Sequence, residues 1–127
     1  MKVTKFIRIG IHIPVINLQQ TLGYYQNKLG FTDEWVENKK NGGYQRDVLR
    51  LLFCEESEFV NDINNDNHRL PLIWFVTNME EIFSEFKQKE IEIADDLRNH
   101  TYGIKEFASI DINGYYIRVA ERKSDSN

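Results

Sequence analysis

The fold is most legible in Tyr102-Gly103-Ile104-Lys105-Glu106-Phe107-Ala108-Ser109-Ile110-Asp111-Ile112-Asn113-Gly114-Tyr115-Tyr116-Ile117-Arg118-Val119-Ala120-Glu121. Apolar and polar side chains alternate over residues 105–110 and again over 115–120, the period of a strand with one buried face. Between them Asp111-Ile112-Asn113-Gly114 has the composition of a tight turn, because Asn and Gly accept positive φ angles that other residues resist. The stretch is predicted to be a β-hairpin.

Immediately upstream, residues 91–95 read as a strand. Ahead of them Ile82, Phe83 and Phe86 give a helical apolar face, with Asn78 as N-cap and Glu81 three residues later in capping-box position. Leu70, Leu72, Trp74 and Val76 share one strand parity. The first half of the chain has the same order. Residues 6–15 are predicted to be a strand, with Ile7, Ile9, Ile11, Ile13 and Val15 on a core face and Arg8, Gly10, His12 and Pro14 on a mixed one. Asn17 is the expected N-cap of a helix with Gln20 at its third position. Leu22, Tyr25 and Leu29 follow at helical spacing, and Gly30 is the stop. Residues 31–37 return as a strand, 38–43 form a turn cluster, and 44–55 supply one or two further strands with Leu49, Leu51 and Phe53 opposite Arg50, Leu52 and Cys54. Val15 and Val76, Asn17 and Asn78, Leu22 and Phe83, and Tyr25 and Phe86 all stand 61 residues apart. One offset shared by strand, cap and helix core indicates a duplicated βαβββ module. A single domain over 1–127 is expected: module one at about 6–55, a polar surface linker at about 56–69, module two at about 70–121, and a frayed tail at 122–127.

Composition narrows the function. The 127 residues, 41% hydrophobic and 13% aromatic with charges of both signs interspersed, describe a folded domain with one core. A net charge of -4 without a clustered Lys/Arg stripe argues against nucleic acid. No apolar run approaches the length of a membrane span and no signal-peptide core is present, so no membrane partner and a cytoplasmic address are expected. Cys54 is the only cysteine, which excludes an intrachain disulfide and a cysteine zinc site; a small buried apolar role is expected for it.

Tyr102-Gly103-x-x-Glu106-Phe107, followed by Asp111-x-x-Gly114 and a terminal apolar strand, resembles the closing hairpin of the vicinal-oxygen-chelate superfamily of glyoxalases, bleomycin-resistance proteins and extradiol dioxygenases. Leu22-Gly23-Tyr24-Tyr25 with Lys28-Leu29-Gly30-Phe31 is similar to that family's first-helix motif, and the resemblance runs over residues 9–121. Glu90 departs from it, standing where relatives commonly carry Gly. The resemblance implies an α+β fold in which duplicated βαβββ modules form a cup-shaped, curved mixed sheet with helices on the outer face. A sheet with a helix on only one side keeps its other side open until something covers it, which agrees with such a cup.

Metal-dependent members carry a His or Glu seven residues before each helix cap and a Glu four residues after the hairpin glycine. Those positions here are Gly10, Pro71 and Arg118, none of which coordinates a divalent ion. Glu55 and Glu56 are the only acids near the fourth position. No metal and no other cofactor is therefore expected. His12 shares the parity of Gly10 and is read as a structural histidine or a polar contact to a small molecule, less readily as a ligand. Glu106 could serve as a general base, although pairing with Arg50 or Arg118 is the commoner fate of a strand carboxylate. Neither Cys54 nor Ser109 has a base beside it in sequence, and no catalytic residue is assigned.

The bleomycin-resistance branch is the closest resemblance, carried by Phe31-Thr32-Asp33-Glu34-Trp35-Val36-Glu37, Arg46-Asp47-Val48, Glu106-Phe107-Ala108, Ile110-Asp111-Ile112-Asn113-Gly114 and Val119-Ala120-Glu121. It implies a homodimer that sequesters a drug in grooves between subunits, with Ile73 and Phe75 standing where two tryptophans line the drug groove and Tyr102 where another aromatic does. The expected ligand contacts are His12, Trp35, Arg46, Leu52, Ile73, Phe75, Tyr102, Tyr116 and Arg118. Aromatic walls with few polar groups suit a flat, partly cationic molecule, such as a glycopeptide antibiotic. The alternative is a metal-dependent glyoxalase-like lyase or dioxygenase.

Overall fold

A computed structural model describes residues 2–100 and 103–125. Its elements are β1 (His12–Val15), α1 (Leu18–Asn27), β2 (Thr32–Val36), β3 (Asn41–Arg46), β4 (Leu49–Glu55), α2 (Ser57–Ile63), β5 (Pro71–Phe75), α3 (Met79–Gln88), β6 (Ile93–His100), β7 (Ile104–Ile110) and β8 (Tyr116–Arg122). The strands form two mixed sheets with the same plan, β1-β4-β3-β2 and β5-β8-β7-β6. In each, the first strand runs parallel to the last and the other pairs are antiparallel. The chain is thus α+β with a duplicated βαβββ plan, and its two sheets are not closed.

Each long helix covers one face of a sheet. Tyr25 of α1 meets Phe31 and Phe53, and Phe83 and Phe86 of α3 meet Phe107. Trp74 of β5 also packs on Tyr25 and Phe31, so the helix-covered faces of both sheets feed one buried core. Residues of opposite parity form an open face on each sheet. Helix ends reinforce the junction: Lys28 Nζ donates to the carbonyl of Lys89 at 2.7 Å, and Arg46 pairs with Glu85.

The hairpin predicted over 105–120 is present, with Ile110 opposite Tyr116. Its loop differs in kind from a two-residue Asn-Gly turn. Gly114 N–H donates to the carbonyl of Asp111, and Gly114 is the only glycine of the loop and its only residue with positive φ, at 83°. The turn therefore closes over Ile112 and Asn113, with a left-handed glycine after it. Asp111 and Asn113 are buried because their side chains hold the two halves of the chain together. Asp111 accepts from Tyr25 Oη at 2.6 Å and from its own loop's N–H groups at Asn113 and Tyr115. Asn113 accepts from Ile16 N–H and donates to Thr21 Oγ1, and Tyr115 Oη donates to the carbonyl of Pro14.

Four expectations need correction. Only His12–Val15 of the strand predicted over 6–15 forms; Phe6, Ile7, Ile9 and Ile11 are exposed, with Phe6 at 104%. Alternation states what a segment can bury, and no neighbour within the chain covers this one. The polar linker contains α2, whose Val60 is buried; Asn64 just beyond it is buried as well, its side chain bridging the carbonyl of Asn113 and Leu70 N–H. The turn cluster at 38–43 ends early, because Asn41, Gly42 and Gly43 already belong to β3, where a Cβ on Gly43 would strike the Trp35 ring and the carbonyl of Leu51. The tail starts ordered, since β8 reaches Arg122 and a 3-10 turn follows at Lys123–Asp125.

Candidate functional site

Cross-strand register assigns the sequence-selected residues to faces. On the first sheet His12 is opposite Leu52, Leu52 opposite Gly43, and Gly43 opposite Trp35, so His12, Leu52 and Trp35 share the open face. On the second, Pro71 is opposite Tyr116, Ile73 opposite Arg118 and Phe75 opposite Ala120, which brings Ile73, Phe75, Tyr116 and Arg118 onto its open face. Arg46 stands apart. It lies at the end of β3 on the helix side, where it donates to Glu85 at 2.6 and 2.9 Å and to the carbonyl of Leu29. Tyr102 lies outside the described residues.

Each open face combines apolar and aromatic surface with arginine side chains, and on the second sheet Arg118 is paired with a carboxylate. Ile73, at the centre of β5, and Phe75, at its end, are 44% and 49% exposed, a large fraction for apolar side chains on a sheet. Arg118 lies beside them in a two-pronged pair with the buried Glu106, Nε to Oε2 at 2.8 Å and a terminal nitrogen to Oε1 at 2.9 Å. That fork geometry fixes the guanidinium plane and raises the Arg118 pKa. Glu106 is accordingly an anchor for Arg118. Arg122 stacks over Phe75 at 4.8 Å, and on the other sheet Arg50 stacks over Trp35 at 4.4 Å. The sequence did not single out Arg122, and it offered Arg50 only as a partner for Glu106; a ring on the adjacent strand, or two strands away, becomes visible only once the register is known. Cys54 is half-buried on the first open face, in place of the buried position expected, and burial pushes its thiol pKa up.

The residues do not fit the divalent metal site of the resemblance. Gly10 and Pro71 offer no ligand, and the Arg118 guanidinium brings positive charge to the third position. Glu55, the acid nearest the fourth, is committed to α1: its Oε1 accepts from Leu18 N–H at 2.9 Å. Glu121 does the same for α3, accepting from Met79 N–H at 3.0 Å. Among the described residues no three His, Cys, Asp or Glu side chains gather in a metal-binding group.

This distal capping also overturns one of the two predicted N-caps. Asn17 caps α1, accepting from Gln20 N–H at 2.9 Å, as its spacing predicted. Asn78 makes no such bond and adopts a left-handed backbone with φ 55°, because Glu121 has taken over the end of α3. The sequence carries no local sign of a cap that arrives from 42 residues away.

A cavity of about 670 Å³ opens on the helix side, between the Asp47-Val48 turn, β5 and α3; Arg46 and Phe75 contribute to its lining. None of the other selected residues that the structure describes lines it. A smaller, more polar hollow lies between the start of α3 and β8, bordered by Glu80, Lys105 and Glu121. Glu80 and Lys105 form an exposed ion pair there, which lowers the Glu80 pKa.

The architecture is that of the glyoxalase, bleomycin resistance and dioxygenase structures. The bleomycin resistance determinant encoded on transposon Tn5 superimposes with a TM-score of 0.77 at 16% identity, covering 93% of this chain and 99% of that one. The bleomycin-binding protein of bleomycin-producing Streptomyces verticillus, solved with copper(II)-bleomycin, gives 0.69 at 17% identity over 94% and 98%. The lactoylglutathione lyase of Agrobacterium tumefaciens gives 0.70 at 12% over 91% and 92%. At such identities the likeness is one of fold. No protein-family model matches the sequence, and no curated protein does. Among the described residues no helix is long and apolar enough to cross a membrane.

Proposed function

We propose that the protein binds a small organic molecule without a metal ion, in the manner of the bleomycin-resistance proteins, and sequesters an aromatic or cationic ligand such as a glycopeptide antibiotic. The observation that carries this reading is the open face of the second sheet. There Ile73, Phe75 and Tyr116 present apolar and aromatic surface on one face, while Arg118, at a position that metal-dependent members give to a carboxylate, is held by Glu106. Such a surface stacks flat rings and has no donor set for an ion.

Within one chain the two helix-covered faces share a core, so the open faces look outward. In this proposal a homodimer brings the open face of the first sheet, with His12, Leu52 and Trp35, against that of the second sheet of its partner, and the cup lies between subunits. The exposed apolar row Phe6, Ile7, Ile9 and Ile11 supports association, because a surface strip of that kind is ordinarily covered. The neighbours named for binding bleomycin support the choice of ligand class.

Titration of bleomycin against Trp35 fluorescence tests the assignment. A saturable change is expected for the wild type and a weaker one for Phe75→Ala; a flat response would sink it. Elemental analysis of protein purified without a chelating tag separates it from a metal-dependent lyase or dioxygenase, which would retain stoichiometric metal.

A further inference from the structure

The 670 Å³ cavity on the helix side is not used by the proposed cup, and its chemistry differs from the open faces. We propose that it is a second small-molecule site, and that its ligand is an apolar organic amine. Its volume falls within the range of about 300–1,000 Å³ typical of small-ligand sites. Its walls are apolar, with Trp74, Phe86, Val119, Ile82 and Leu49 presenting side chains from both modules. Trp74 and Val119 are cross-strand partners on the helix-covered face, opposite in parity to Ile73 and Arg118, so the cavity and the open face share only Phe75.

The mouth selects charge. Asp47 and Glu81, both exposed, are its carboxylates, and among the described residues no salt bridge reaches either. Arg46 is the cation of the lining, and its guanidinium is already engaged by Glu85 and the carbonyl of Leu29. An anion entering the mouth would meet two carboxylates and a neutralised arginine, whereas an ammonium would gain a partner. Asp47 and Asn78, on opposite sides of the mouth, are both held in left-handed backbone, with φ 51° and 55°. Such conformations are uncommon outside glycine and are retained where surrounding structure enforces them.

Methyl NMR of the full chain tests this with 4-phenylbutylamine, and with 4-phenylbutanol and 4-phenylbutyrate as its neutral and anionic counterparts. Saturable shifts are expected at Ile82, Val76 and Val119, with the amine bound about threefold more tightly than the alcohol, the scale of one exposed ion pair. Glu81→Gln should reduce that preference, and Asp47→Asn combined with Glu81→Gln should erase it. Ile82→Trp, which narrows the cavity, should weaken binding of all three probes as read by the shifts at Val76 and Val119. Shifts confined to Ile73 and Leu52, no saturation, or equal affinity for all three probes would overturn the proposal. Because Ile73 and Leu52 report on the open faces, failure here is distinguishable from failure of the proposed cup.

Discussion

At the scale of single residues, two positions carry conformational or electrostatic cost. Glu90, two residues past the end of α3, has φ 57°, much as Gly30, three residues past the end of α1, has φ 72°. A side chain with a Cβ is disfavoured there by about 1 kcal/mol relative to glycine. Glu90→Gly is therefore predicted to raise unfolding stability by about that amount in denaturant titration. Asp111 is buried without a cation beside it; desolvation raises its pKa, while hydrogen bonds from Tyr25, Tyr115 and Asn113 oppose the rise. A carboxyl with a folded-state pKa above its unfolded value contributes stability that is fully present below the unfolded value and is lost as pH rises through the folded one. The Asp111→Asn variant should consequently gain on the wild type as pH is raised from 4 to 7, read as a rise in the variant's Tm minus the wild type's Tm. A fall in that signed difference over the range would contradict this assignment.

At the scale of elements, the sequence was most informative where local pattern and local partner coincide. The α1 cap at Asn17, the Gly30 stop and the closing hairpin were all legible because their partners lie within a few residues. It was least informative where a distant side chain decided the outcome. Glu55 and Glu121, read as a candidate ligand and as a strand end, turn out to cap the helix that opens their own module. Glu55→Ala is predicted to cost about 1 kcal/mol of stability, similar to Asn17→Ala, because each removes one acceptor from the first turn of α1. Equilibrium unfolding of the two variants checks this. The segment over residues 6–11 was misread for the converse reason: its alternation is real, but no described part of the chain covers it.

For the candidate site, strand parity grouped His12 on one sheet and Ile73, Phe75, Tyr116 and Arg118 on the other, while Leu52 and Trp35 joined the face of His12 only through the cross-strand register. Arg46 was beyond reach, because its partner Glu85 sits on a helix of the other module, 39 residues on. The Arg118–Glu106 pair was one of two options that the sequence left open, and the register β7 to β8 settles it by setting Ala108 opposite Arg118 and Glu106 two residues along the same face.

At the scale of the whole molecule, the two outward faces and the exposed apolar segment are what the proposed association rests on. The proposed homodimer predicts a light-scattering mass of twice 15.1 kDa, shifting toward the monomer when Ile7 and Ile9 are both replaced by Asp. Breaking the Arg118–Glu106 pair with Glu106→Gln should weaken ligand binding by freeing the guanidinium plane, with a smaller effect from Arg118→Lys on stability than on affinity. The most direct test of ion-independent binding is calorimetric titration of metal-free bleomycin into protein dialysed against EDTA. Saturable heat that is unchanged on adding a divalent ion and reduced in Phe75→Ala is the predicted result; no saturable heat, or heat that appears only once the ion is restored, would contradict the account.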